Sequence, residues 1–154
     1  MSRDENQTRI ELIDPALHDR GWTEDLIRRE RTPGATLMLD GQPHARKGRT
    51  DYLLCLPVES GKHPFPVALI EAKAEGKLPA LGLQQGRNYQ RRFNVPFVFS
   101  TNGHLYATYG DDMRRIETDL PIASFPTPDE LRDRYEKLRG FKLDAPETQP
   151  LFMG

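Results

Sequence analysis

Two acids and a lysine stand at the ends of two apolar runs. Asp51 opens Thr50-Asp51-Tyr52-Leu53-Leu54-Cys55-Leu56, and Glu71 and Lys73 close Pro66-Val67-Ala68-Leu69-Ile70-Glu71-Ala72-Lys73. Side chains alternate along a strand, so Glu71 and Lys73 share a face roughly 7 Å apart, with Val67 and Leu69 continuing that face into the core. If the two strands are antiparallel neighbours, the start of one lies beside the end of the next, and Asp51 approaches Glu71. Two converging carboxylates suit a hard cation with oxygen ligands. Magnesium fits, because it takes one or two carboxylates and completes its shell with water and phosphate oxygens; manganese is the substitute. The Ala72 backbone carbonyl adds a further oxygen. Lys73 brings positive charge without competing as a ligand, and can orient or deprotonate an attacking water or offset charge on a phosphate.

The Glu-x-Lys spacing alone says little, since Glu75-Gly76-Lys77 repeats it. Glu71, however, follows directly on Leu69-Ile70, whereas Glu75 lies beyond the strand and reads as solvated surface charge. A second polar set is Gln85-Gly86-Arg87-Asn88-Tyr89. Residues four apart on a helix share a face, so Gln85 and Tyr89 project together toward the sheet. Both can donate and accept hydrogen bonds, to a water or to a DNA backbone. Arg87 and Arg91 beside them are candidate phosphate contacts, although such clusters are usually solvated faces.

The elements that position these groups follow from periodicity and punctuation. Arg9 to Gly21 places Ile10, Ile13 and Leu17 at helical spacing, with Gly21 as its stop; Pro15 predicts a break after Asp14 unless it opens a new turn. Trp22 is expected in the core. Thr36 to Leu39 reads as a weak strand, followed by a loop through Gly41 to Gly48. The turn-rich Glu59 to Pro64 joins the two acid-bearing strands as a hairpin or meander. Pro79 to Phe93 reads as a helix opened by its proline, Pro96 to Thr101 as a buried strand, and Asn102-Gly103 as a hairpin turn into Leu105 to Tyr109. Helix, three strands, helix and two strands predict an α/β or α+β fold, a mixed central sheet flanked by helices. Residues 1–120 are expected to form the domain. Residues 121–154 are expected to be a proline-punctuated linker with a short helix from Pro128 to Arg139 and an aperiodic tail.

Other chemistries lack their parts. His18, His44, His63 and His104 show no metal-ligand spacing, and no Gly-rich phosphate loop ends in Gly-Lys-Ser/Thr, so ATP hydrolysis by this chain is not expected. Cys55 stands alone mid-strand, which excludes an internal disulfide and fits buried packing in a reducing cytoplasm. No apolar stretch is long enough to span a membrane, and the charged start, MSRDENQTR, has no signal-peptide core. A net charge of −1 argues mildly against a domain that grips DNA unaided, because phosphate neutralisation supplies most non-specific affinity.

Taken together, Thr8-Arg9…Leu12-Ile13-Asp14…Gly21-Trp22, Thr50-Asp51-Tyr52-Leu53-Leu54, Glu71-Ala72-Lys73-Ala74, Gly82 to Tyr89 and Pro96 to Gly103 make the sequence resemble a known family. It is the N-terminal nuclease domain of the motor (R) subunit of type I restriction enzymes, within the PD-(D/E)xK superfamily. The likeness extends to Ser124 to Leu131, which is similar to the family's passage toward its helicase domains. The resemblance implies a restriction-endonuclease-like core in which Asp51 and Glu71 bind magnesium and Lys73 is the catalytic lysine. Gln85 and Tyr89 match the family's QxxxY motif. First-helix acids often assist in the superfamily; Glu5 and Glu11 are the candidates, with Gln7 where an acid is expected. The implied substrate is double-stranded DNA in a prokaryotic cytoplasm. ATP, helicase domains, and methyltransferase and specificity subunits are implied only for a full complex. Two alternatives stand beside this: another PD-(D/E)xK nuclease, acting in repair or modification-dependent restriction, or a catalytically silent docking module of the same fold.

Overall fold

The computed structural model describes residues 2–31, 37–39, 42–44, 50–58 and 63–143. Its strands are β1 (Ile27–Arg31), β2 (Leu37–Leu39), β3 (Gln42–His44), β4 (Thr50–Leu56), β5 (Phe65–Ala72), β6 (Phe97–Thr101), β7 (Leu105–Gly110) and β8 (Ile116–Pro121). Six of them form one sheet in the order β1-β4-β5-β6-β7-β8, while β2 and β3 pair separately. Strands β5 and β6 run parallel and the other neighbours antiparallel, so the sheet is mixed as the sequence predicts. The parallel pair requires a crossover. Helix α3 (Leu83–Phe93), entered through a 3-10 turn at Pro79–Gly82, provides it.

Strand alternation gives the sheet two buried faces. Tyr52, Leu54, Leu56, Ile70, Phe97, Phe99 and Tyr106 pack with Ile13, Leu17 and Trp22 from the N-terminal segment and with Phe125, Leu131, Tyr135 and Leu143 from the end of the chain. Leu53, Leu69, Val98 and Ala107 meet Leu83 and Tyr89 of α3 on the other face. Each fully buried aliphatic or aromatic side chain contributes about 1.5–3 kcal/mol. Val67 does not continue the Leu69 face as expected. The β4–β5 pairing steps from Leu54↔Ala68 to Cys55↔Pro66, leaving Val67 as the extra residue of a bulge, and it joins the larger cluster.

The N-terminal helix begins earlier than its apolar spacing suggests. Asp4 and Gln7 form a reciprocal capping box, a device worth about 1 kcal/mol, at the start of α1 (Glu5–Thr8). A π-helical segment, Arg9–Ile13, then leads into α2 (Asp14–Asp19). Pro15 has no N–H to give the ladder and opens the new turn, so the helix widens instead of breaking. Gly21, at φ +92°, ends it as expected.

Two edge strands escape sequence reading. The β1 sequence Ile-Arg-Arg-Glu-Arg is charged, and β8 is largely exposed, as edges often are. Gln42–His44, expected as loop, pairs with Leu37–Leu39. The Asn102-Gly103 hairpin forms, with Gly103 at φ +90°, while Asn102 bonds the turn through its side chain to the amides of His104 and Leu105. The packing shows no break at residue 120. Trp22 donates to the Pro126 carbonyl at 2.8 Å, and α4 (Pro128–Arg139), capped by Thr127 and Glu130, places Leu131 and Tyr135 in the larger core. The expected turn at 59–62, Thr36, the basic run at 46–49 and the tail beyond Leu143 lie outside the described residues.

Candidate active site

The β4–β5 register pairs Tyr52 with Ile70 and Leu53 with Leu69, so one step further sets Asp51 opposite Glu71 at the rim of the sheet. Asp51 Oδ2 accepts the Ala72 amide hydrogen at 2.8 Å. The N–H and C=O of a strand residue leave on the same edge, which directs the Ala72 carbonyl toward Asp51 as well. Thr50 Oγ1 lies 3.3 Å from the Ile70 carbonyl and ties the strand ends together.

Glu71 is only 2% exposed, and its Oε1 has no hydrogen-bond partner. Its pKa is pushed up to about 9, first by burial and then by the negative charge of Asp51; Lys73 opposes the shift weakly. A buried carboxyl facing a second carboxylate with an unused oxygen is an anionic, oxygen-only donor set. Unpartnered buried polar atoms are rare and costly in folded proteins, and a divalent cation would satisfy this one directly. Among the described residues no third His, Cys, Asp or Glu joins the pair. Two carboxylates with water completing the shell form a donor set that would fit magnesium.

The roof of the site is α3. A Cβ at Gly82 would stand 2.9 Å from Glu71 Cβ, Lys73 Cε and Ser100 Oγ, and one at Gly86 would stand 2.6 Å from Val98 Cγ1 and 3.4 Å from Glu71 Cγ. The helix therefore reaches the sheet only because both positions are glycine. Ser100, paired with Glu71 across β5–β6, accepts the Gly82 amide hydrogen at 3.0 Å and pins the helix start. Lys73, half-buried, extends the strand by donating its amide to the Thr101 carbonyl, and its side chain runs past Gly82 on the Glu71 face.

The structure thus brings Asp51, Glu71, Lys73 and the Ala72 backbone together. Tyr89 is buried in the smaller core, and exposed Gln85 donates to its hydroxyl at 3.4 Å; this links the two residues and shows Tyr89 packing more than projecting. Arg87 and Arg91 are exposed on α3. They line an open groove of about 570 Å³ with Asn88, Asn94 and Arg139, and the Arg87 guanidinium stacks 4.0 Å from the Tyr109 ring centre. The first-helix acids do not join the site. Glu11 is exposed and paired with Arg3 at 3.4 Å, Glu5 is exposed in the first turn of α1, and Gln7 is used in the capping box. What the N-terminal helix does present is Arg9, whose Nη1 lies 3.5 Å from Asp51 Oδ1. Sequence reasoning missed it, although Arg9, Ile13 and Leu17 recur every four residues along the buried stripe. Glu75, expected as solvated charge, is instead a clamp. It accepts from the Arg3 amide at 2.8 Å, from Arg3 Nη1 at 3.0 Å, and pairs with His104 Nε2 at 2.8 Å.

No family model matches the chain. It is 30% identical over 133 residues, 82% of its length, to the type I restriction enzyme EcoAI endonuclease subunit of Escherichia coli. A solved fragment assigned as an HsdR subunit of a type I restriction enzyme from Vibrio vulnificus YJ016 superimposes over 97% of the chain with a TM-score of 0.74 and 28% identity. The chain spans 16% of the first protein's length and 28% of the second's. Among the described residues no helix is long and apolar enough to cross a membrane. By sequence and by fold, the chain is similar to a segment of the endonuclease (HsdR) subunit of type I restriction enzymes.

Proposed function

We propose that the chain is a magnesium-dependent endonuclease domain that hydrolyses phosphodiester bonds of double-stranded DNA, the N-terminal nuclease domain of a type I restriction enzyme R subunit. The observation that carries this reading is the buried Glu71 carboxyl, its Oε1 unpartnered, facing Asp51 at the sheet rim. Asp51, Glu71 and the Ala72 carbonyl are the groups that would hold the cation, with manganese as a substitute. When bound, it supplies Lewis-acid stabilisation of phosphate charge and a water acidic enough to attack at neutral pH.

The chain's own residues supply the rest. Asp51 is held in place by the Ala72 amide, so one acid is oriented before any ligand arrives. Lys73 stands on the Glu71 face, where its ammonium can orient the attacking water and donate to the phosphate oxygen that gains charge. Packing of α3 against Glu71 excludes solvent from that side and strengthens the local electrostatics. Tyr89 packs α3 against the sheet with Gln85 on its hydroxyl, and the exposed Arg87 and Arg91 offer phosphate contacts on the same helix. In this reading, sequence specificity comes from another subunit and ATP acts only through motor domains of the same subunit. Methyltransferase and specificity subunits complete the assembly, and residues 121–143 lead toward the motor.

Calorimetric titration with manganese, paired with nicking of supercoiled DNA, tests the proposal. Glu71→Ala should abolish cation binding and any nicking together. Cation binding that survives Glu71→Ala unchanged would refute the assignment.

A further inference from the structure

Three arginines from two helices meet in one groove with little negative charge to answer them. Arg87 and Arg91 are exposed one turn apart on α3, about 6 Å along its axis. Arg139, exposed at the end of α4, lines the same open groove of about 570 Å³. Among the described residues none of the three is ion-paired. What they touch is aromatic. The Arg87 guanidinium lies 4.0 Å from the Tyr109 ring centre, and stacking leaves its N–H edge to donate. Arg139 lies 5.3 Å from the Tyr135 ring centre and hydrogen-bonds that residue, which takes one of its five donors.

The rest of the lining fits a phosphate backbone better than a protein segment. Its one carboxylate among the described residues, Asp111, accepts from Gln90 Nε2 at 2.8 Å. Gln84 donates to Asn88 Oδ1 at 3.1 Å, which leaves the Asn88 amide NH2 to donate. Protein interfaces anchor on apolar side chains buried at their centre, and the groove offers none: Val95 is already 3% exposed and Arg87 covers Tyr109. Guanidiniums match phosphate through paired donors. A local excess of positive charge on a chain of net charge −1 marks where a polyanion gains most.

Resting on the nuclease reading above, which supplies the DNA, we infer that this groove is a second duplex-binding site in which Arg87, Arg91 and Arg139 hold backbone phosphates away from the acid pair. Gly86 packs beside Glu71, and Asn94 ends the helix about 12 Å further along its axis. The groove therefore tracks away from the acids. Its contacts fix where the duplex lies and carry no base information.

The test is anisotropy of a labelled duplex in chelator, over a salt series, with the chain and with Arg87→Gln, Arg91→Gln and Arg139→Gln. Each variant should bind about fivefold more weakly at low salt, and the slope of log affinity against log salt should fall by about one. The loss should be equal on two duplexes of unrelated sequence. Arg87→Lys keeps the charge without the stack on Tyr109 and should hold the slope. Basic residues in a last helical turn can serve only to offset the helix dipole. Variants that lose melting temperature but keep the slope would show that role and overturn the inference. So would a poly-glutamate peptide that binds as tightly as the duplex and is lost in the same variants, which would assign the groove to an acidic protein segment. Absence of duplex binding by the unmodified chain at low salt would also overturn it. Manganese calorimetry on the unmodified chain reports the acid pair separately, so failure of the nuclease reading shows there and failure of the groove shows in the slopes.

Discussion

Asp51 and Ala72 are joined across the β4–β5 rim by a 2.8 Å hydrogen bond from the Ala72 amide to Asp51 Oδ2, so one acid of the pair is anchored to the strand that bears the other. This separates charge from position. Asp51→Asn keeps an oxygen that can accept the same hydrogen, whereas Asp51→Ala leaves the amide without its partner. Both variants should lose at least the roughly ten- to hundredfold in manganese affinity that removing a mere hydrogen-bond partner of a metal ligand costs. Only Asp51→Ala should also lose about 1 kcal/mol of stability. Calorimetry and urea denaturation of the two variants measure the two effects apart.

The Glu71 carboxyl has its pKa raised from 4.5 to about 9 by burial and by Asp51. In the folded, metal-free protein it therefore keeps its proton at neutral pH, while the unfolded chain gives it up near pH 4.5. Its contribution to stability is complete below about pH 4.5 and is lost as pH rises through about 9. Glu71→Gln keeps the shape without the titration. Melting temperatures in chelator should show Glu71→Gln gaining on the unmodified chain between pH 7 and 9.5. Magnesium should remove that gap by favouring the ionised carboxylate. A gap that stays constant with pH would mean Glu71 is ionised throughout.

Gly86 of α3 and Gly82 of the turn before it set how closely the helix roofs the site. Gly86→Ala would drive a methyl group to 2.6 Å from Val98 Cγ1, and Gly82→Ala would put one at 2.9 Å from Glu71 Cβ. Overpacking of this kind costs about 1–3 kcal/mol. Both should destabilise, by urea midpoint, but Gly82→Ala should weaken manganese binding more, since it presses on Glu71 and Lys73 together.

Much of this arrangement was legible in the sequence. Asp51, Glu71 and Lys73 stand at the ends of uninterrupted apolar runs, so their meeting at a sheet rim follows from strand period and antiparallel register. The rest rests on long-range contacts. The first helix brings Arg9 to within 3.5 Å of Asp51, a contact between distant parts of the chain that helical spacing alone does not announce. The charged β1 carries no alternating pattern, since at the sheet edge Arg28 bonds the Pro64 carbonyl and Arg29 pairs with Asp14 and Glu24. The prolines at 121, 126 and 128 read as a linker, yet Phe125 between them is fully buried against Phe99 and Tyr106. Spacing cannot reveal such a contact between distant parts of the chain.

Glu75 ties the N-terminal segment that carries Arg9 to the sheet. Its carboxyl is held down to about 2 by the Arg3 amide first and His104 second, so its contribution is present above the ordinary carboxylate range and lost as pH falls through about 2. Glu75→Ala should release this end. Hydrogen exchange of amides in Glu5–Thr8 should quicken about tenfold, while those of β5 stay unchanged, as expected for local rather than global opening.

The proposed nuclease activity requires Asp51 and Glu71 to share one cation, and diffraction from crystals soaked in manganese tests that most directly. The predicted result is a single strong anomalous peak, or two adjacent ones, bounded by the Asp51 carboxylate, Glu71 Oε1 and the Ala72 carbonyl, lost in Glu71→Ala crystals. Manganese ordered elsewhere on the chain, with Glu71 still protonated and unliganded at pH 8, would contradict it.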